Sequence, residues 1–160
     1  MIRVLFKTPN ANKMSKKIKE SLVDSSTLNE LDNKILPEIK RFMSSGVSPV
    51  KGKRRFVEYK DKRIYPGKRK ASRPVNLKLS GDLYAALVVA KKTATSFYIG
   101  VSTLASRKLK IYAKANNLGV AKKNIAERRF VPIQGEQFNV SIMRQIRNIL
   151  AERIAKILKK

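Results

Sequence analysis

Cysteine and histidine are both absent from this sequence of 160 residues. Without Cys the chain can form no disulfide, no thiolate nucleophile and no thiolate zinc site, and without His it has no imidazole base. The lack of Cys also fits an intracellular product. The sequence alone therefore excludes active sites that depend on a thiolate or an imidazole.

Acidic residues are scarce, with 11 Asp and Glu against 37 Lys and Arg. Calcium loops and two-metal sites need several converging carboxylates, which this composition does not favour. The triplets Glu38-Ile39-Lys40 and Glu58-Tyr59-Lys60 have the spacing of a metal-dependent nuclease core, but a lysine-rich chain contains such triplets by chance. We therefore predict a protein that is not an enzyme and that uses no metal, cofactor or small-molecule substrate.

The net charge of +26 is spread along the chain and is not confined to one tail. A surface this cationic attracts nucleic acid or acidic protein faces and repels other copies of itself unless counter-charges are near. Lysines on solvated faces are the alternative explanation, although they account less well for the 13 arginines. The charge predicts an anionic partner.

Long apolar runs are also missing. The longest is Leu83 to Ala90, which is far shorter than the roughly 18 residues that span a bilayer. The N-terminal segment Met1 to Lys7 has no extended apolar core and no small-residue cleavage site. We interpret it as a strand and predict a soluble protein with no membrane partner.

Hydrophobic periodicity predicts an α+β fold in a single domain, 1–160. Two strands are predicted, at residues 2–7 and at Ser96–Val101, and Arg129–Pro132 is predicted to be a short extended piece. Five helices are predicted. The first is Asn12–Val23, and the second begins at a Thr27–Glu30 capping box, is kinked or restarted at Pro37 and ends at Ser44–Gly46. The others are a short helix capped by Ser80-Gly81-Asp82 that continues to about Lys91, Ala105–Asn117 with Gly119 just beyond, and Val140–Leu158.

A long basic segment, residues 46–79, has no periodic pattern and is predicted to be an extended arm or loop within the domain. Residues 46–75 hold eleven Lys and Arg against two acids, with aromatic residues between them. Such a segment suits phosphate contacts with base stacking, an assembly arm on a neighbouring subunit, or a solvated loop. The candidate partner- or DNA-contacting residues are Lys51, Lys53, Arg54, Arg55, Phe56, Tyr59, Lys68, Arg69, Lys70 and Arg73.

The middle and end of the chain contain short elements in a recognisable order. These are Gly46–Val50, Tyr65-Pro66-Gly67, Pro74–Leu83 with its Leu79-Ser80-Gly81-Asp82-Leu83 helix start, Ile99-Gly100-Val101, Tyr112–Gly119 and Arg129–Pro132. In their order and spacing they resemble the virion morphogenesis and tail-completion proteins of tailed bacteriophages. The likeness covers residues 46–160, and it departs from the family at Ala115-Asn116, where a His often precedes the Asn or Gln.

The resemblance implies a small, mostly antiparallel sheet packed against helices, with no catalytic role. It further implies a neck, connector or tail-terminator subunit that forms a ring, often six-fold, contacts other neck, connector or tail proteins, and resides in the virion after assembly in the host bacterial cytoplasm. A nucleic-acid-binding protein, monomeric or associated with packaging, is the alternative that composition leaves open, and a nuclease is a third.

Overall fold

The computed structural model describes residues 3–7, 18, 21–57, 77, 81–123 and 125–159. In chain order the elements are β1 (Arg3–Lys7), α1 (Ser25–Ser44), α2 (Asp82–Ala85), β2 (Leu87–Thr93), β3 (Ser96–Val101), α3 (Arg107–Leu118), a 3-10 turn (Ala121–Lys123) and α4 (Val140–Leu158). The predicted α+β class is confirmed. Of the predicted helix Asn12–Val23, Ile18 and Ser21 are helical, and most of the remainder lies outside the described residues.

The described strands form one three-stranded antiparallel sheet in the order β1-β3-β2. Ile99 in the middle of β3 lies between Val4 of β1 and Val89 of β2. Every residue of β3 is buried, as is typical of a central strand that is covered on both faces. The predicted strand at Ser96–Val101 is confirmed.

Strand β2 was predicted as part of a helix from Gly81 to about Lys91, and that prediction is wrong beyond Ala85. The helix α2 is only four residues long and begins after Gly81, whose φ of 83° suits glycine. The sequence Leu87-Val88-Val89 then pairs with β3. Because β-branched residues fit a pleated, half-buried surface, pairing across the sheet overrides the helical spacing of the leucines and alanines.

Helix α1 begins two residues before the predicted capping box. Asp24 is its N-cap, and the Asp24 carboxylate accepts hydrogen bonds from the backbone N–H and the hydroxyl of Thr27, both at 2.9 Å. Glu30 is bonded to Lys34 and does not reach back to the cap. The helix continues without a restart through Pro37, which lies on its exposed side, where water can bond the carbonyl that proline leaves unpaired.

Helices α1 and α4 pack against each other, and α1 also contacts β2. Asp24, just before α1, pairs with Arg153 near the end of α4, whereas Glu38 near the end of α1 lies beside Ser141 at the start of α4. The two helices are therefore antiparallel. Their facing side chains make much of the core; those of α4 are Ile142, Ile146, Ile149 and Ile157.

The predicted bounds of α3 and α4 are confirmed within two residues. Asn139 caps α4 by accepting a hydrogen bond from the backbone N–H of Ile142 at 3.1 Å. Gly119 ends α3 with φ 73°, and a Cβ at this position would come within 3.0 Å of the backbone nitrogen of Glu127. Glycine is thus required there both by conformation and by close approach.

Candidate partner-binding surface

The first part of the basic segment is a closed hairpin, residues 46–57, in place of an extended arm. Val47 bridges Arg55, and the backbone N–H of Phe56 donates to the carbonyl of Gly46 at 2.8 Å. A tight turn closes the tip, because the N–H of Lys53 donates to the carbonyl of Val50 and Gly52 has φ 78°. The chain direction reverses within this short stretch, which explains why no hydrophobic period is visible in the sequence.

The hairpin lies along the segment that precedes α4. The N–H of Lys51 donates to the carbonyl of Gln137 at 2.9 Å, and the N–H of Asn139 donates to the carbonyl of Pro49 at 2.8 Å. Phe56 belongs to the hydrophobic core with 7% of its surface exposed. Phe56, proposed from the sequence as a contact residue, therefore stabilises the domain and does not present its ring to a partner.

Four charged side chains connect the hairpin to the segment before α4. Lys53 pairs with Glu127 at 2.9 Å and approaches Glu136 at 3.8 Å, and Arg129 pairs with the same two acids at 2.9 and 3.4 Å. Only 6% of the Arg129 surface is exposed. We call Lys53, Glu127, Arg129 and Glu136 the ion cluster. Glu127 and Glu136 compensate the positive charge of the buried Arg129.

The ion cluster determines how Glu127 titrates. Burial is the largest single influence and opposes ionisation, but the hydrogen bond from Lys53 and the charges of Arg129 and Lys53 together hold the pKa of Glu127 below its ordinary value of 4.5. A carboxyl whose pKa is lower in the folded state stabilises the fold above its unfolded pKa. That contribution is lost as the pH falls through the lowered folded value.

We therefore expect Glu127→Gln to lower the thermal unfolding midpoint at neutral pH and to lose this effect in acid. Because Glu127 is partly exposed, the expected loss is about 1 kcal/mol, or roughly 2–4 °C. Differential scanning calorimetry of both proteins between about pH 3 and pH 7 measures it. Glu152→Gln, on the exposed side of α4, is the matched control. A difference between wild type and Glu127→Gln that is as large at pH 3 as at pH 7 would contradict the assignment.

Asn117 holds the Arg129–Pro132 piece against α3. Its side-chain oxygen accepts from the backbone N–H groups of Phe130 and Val131, both at 2.9 Å, and its amide donates to the carbonyl of Val131 at 2.9 Å. Ser48 of the hairpin donates its hydroxyl proton to the carbonyl of Arg129. The Arg129–Pro132 piece was predicted to be extended, but it is irregular. Its backbone groups form hydrogen bonds with side chains instead of with a neighbouring strand.

The remaining candidate residues divide into two groups. Lys51, Arg54 and Arg55 are exposed on the hairpin, and Lys53 is exposed but held in the ion cluster. Five other candidates lie outside the described residues: Tyr59, Lys68, Arg69, Lys70 and Arg73. The described part of the candidate surface is thus three exposed cations on a folded hairpin.

Sequence reasoning missed a second cationic region, on and after α3. Residues 103–126 contain six Lys and Arg and no acid: Arg107, Lys108, Lys110, Lys114, Lys122 and Lys123. Most of the described acids, by contrast, pair with cations of their own chain, as in Glu30 with Lys34 and Glu38 with Arg41. A count of charge along shorter windows of the sequence would have revealed this region.

Among the described residues, no three or more carboxylates come together in a way that could hold a metal ion. No helix in the described ranges is both long and apolar enough to cross a membrane. Comparisons of the chain with protein-family models, with curated proteins and with solved structures found no match. The functional proposal therefore rests on the residues of this chain and on their geometry.

Proposed function

We propose that this protein is a non-enzymatic structural subunit of the neck or tail-terminator ring that joins head and tail in a tailed bacteriophage. The observation that carries the proposal is the interlock made by Asn117. It joins two of the sequence elements that resemble the family, Tyr112–Gly119 and Arg129–Pro132, through buried hydrogen bonds. Both elements thereby contribute to the stability of the fold, which supports a structural role.

The distribution of charge supports assembly with other molecules. The acids at 24, 30, 38, 127 and 136 are committed to pairs within the chain, which leaves a large excess of cations on the surface. Such a surface is compensated by acidic faces of neighbouring proteins or by DNA. The partners in such a ring are other copies of this chain, connector proteins and tail proteins. A ring at the neck also encloses the DNA path, so it offers both acidic protein faces and DNA.

Electron microscopy of the purified protein in negative stain tests the proposal. Closed rings of uniform diameter with a central opening are expected. Closure covers exposed sheet edges and gives every subunit the same contacts with its two neighbours. Particles that remain single subunits at all protein concentrations would contradict it.

A nucleic-acid-binding protein is the second candidate, favoured by the exposed cations Lys51, Arg54 and Arg55 on the hairpin. This candidate predicts that changing all three to Ser weakens DNA binding and reduces the salt slope by about three counter-ions. Lys91→Ser with Lys92→Ser, two exposed cations of β2, provides the control. If the hairpin variant and the wild type bound DNA with equal affinity, the hairpin would not be a DNA contact.

We also expect no nuclease activity. The acid-x-Lys triplet at Glu38 lies on α1 with its carboxylate bonded to Arg41, a geometry that holds no metal. Single- and double-stranded DNA should stay intact when incubated with the protein and magnesium or manganese. Cleavage that Glu58→Ala abolishes would show that the second triplet is an active site.

A further inference from the structure

An exposed ridge runs along α3 and the turn before it. It consists of Leu104, Arg107, Ile111, Lys114 and Leu118, all of them exposed, and we call it the α3 ridge. Leu104 has 93% of its surface exposed and Ile111 has 60%. The four helical members lie at intervals of three and four residues and therefore share one face of α3. Single exposed apolar residues are common on proteins, but here Ile111 and Leu118 share one face of α3 and Leu104 is exposed on the turn just before it, a grouping that indicates a contact surface.

Leu104, at the N-terminal end of the α3 ridge, is held in place by hydrogen bonds of the turn that carries it. The hydroxyl of Ser102 accepts from the backbone N–H of Leu104 at 3.1 Å, and the N–H of Ala105 donates to the carbonyl of Ser102 at 3.3 Å. The ammonium group of Lys110 donates to the carbonyl of Thr103. Leu104 is thus presented to solvent on an ordered turn, which reduces the entropy lost when it enters a partner's pocket.

The charge of the α3 ridge limits what can cover it. Its cations Arg107 and Lys114 have no ion pair with any described residue, and no acid occurs anywhere in residues 103–126. A second copy of this ridge would be repelled, and most of the described acids of another copy are engaged in pairs of their own. A surface that carries unpaired Asp and Glu is electrostatically complementary.

Nucleic acid fits the α3 ridge less well than an acidic protein does. A phosphate backbone gains nothing from Leu104, Ile111 and Leu118, and base stacking needs exposed aromatic rings, which the ridge does not carry. Apolar side chains flanked by cations match an apolar stripe flanked by carboxylates. We propose that the α3 ridge docks on a different protein whose contact surface is an apolar stripe bordered by Asp and Glu. This inference goes beyond the neck assignment and does not depend on it.

The experiment measures binding of the full-length protein to two fluorescent peptides. One is an acidic amphipathic helix with Leu on one face and Glu on its flanks, and the other has every Leu replaced by Ser at the same charge. We expect the Leu peptide to bind about tenfold more tightly or better, because the ridge supplies apolar anchors as well as charge. Equal affinities for the two peptides would overturn the proposal, since they would indicate attraction by charge alone.

A pair of matched variants locates the contact. Leu104→Ser with Ile111→Ser should reduce affinity for the Leu peptide about tenfold, whereas Val140→Ser with Leu158→Ser, two other exposed apolar residues, should leave it unchanged. Leu104→Ser alone repeats the test with a change that should not affect folding, because the Leu104 side chain is exposed. The proposal fails if the ridge variants bind the Leu peptide as wild type does. It also fails if Arg107→Ser with Lys114→Ser weakens binding only to a DNA duplex.

Discussion

Replacing Ile149 by Asp should leave the protein unfolded at 25 °C. Ile149 lies on the inner face of α4 and has only 3% of its surface exposed. The change removes about 1.5–3 kcal/mol of apolar burial and places a carboxylate on the buried face of α4, at a cost of several kcal/mol more. Since small domains are stable by only about 5–15 kcal/mol, the folded state should be lost. Circular dichroism should show no cooperative thermal transition.

Asn148→Asp is the matched control for this prediction. Asn148 is the neighbouring residue on α4 and is exposed, so the same carboxylate there meets water. Its unfolding free energy should lie within about 0.5 kcal/mol of wild type, as is usual at surface sites. An Ile149→Asp protein that unfolds at the wild-type temperature would show that this face of α4 is not buried.

Replacing Asn117 by Ala should have the second-largest effect. It leaves the N–H groups of Phe130 and Val131 and the carbonyl of Val131 without the partner that Asn117 provides, in a buried site. Each buried polar group left unsatisfied costs about 1–3 kcal/mol, so a total loss of about 3 kcal/mol or more is expected. Urea denaturation measures it as a lower midpoint with an unchanged slope.

Asn148→Ala supplies the control, because it removes the same amide from an exposed helical position. It should be neutral or slightly stabilising, since Ala has the higher helix propensity. The role assigned to Asn117 would be contradicted if the two variants unfolded at the same urea concentration.

Strong local patterns made much of the fold predictable from the sequence. The stripe of isoleucines in α4 and the aromatic and β-branched run of β3 gave both elements within a residue or two. The end of α3 was equally clear, because Gly119 takes a conformation that other residues adopt only with strain. In these places local propensity and tertiary packing favour the same structure.

The errors occurred where contacts between elements decide the local structure. Strand β2 exists because β3 pairs with it, and the leucine and alanine spacing in residues 83–90 gives no sign of that pairing. The start of α1 depends on Asp24, which is also bound by Arg153 from the far end of the chain. The residue pattern within a single element shows neither effect.

The candidate surface was predictable in composition but not in geometry. The concentration of cations after residue 46 is plain in the sequence, whereas the hairpin is stabilised by partners more than 70 residues away, such as Glu127 for Lys53. Phe56 looked like an exposed anchor among basic residues, and only its packing shows that it belongs to the core. Charge alone does not distinguish a folded hairpin from an arm.

The most direct test of the ring proposal is sedimentation velocity of the purified protein between about 50 mM and 500 mM salt. Subunits with a net charge of +26 repel one another, so screening should strengthen their association. We predict a shift from slow species at low salt to one discrete, larger species at high salt. A free nucleic-acid-binding protein has the opposite salt dependence, because its complex with DNA weakens as salt rises. A monomer at every salt concentration, with DNA affinity that falls steeply as salt increases, would contradict the proposal.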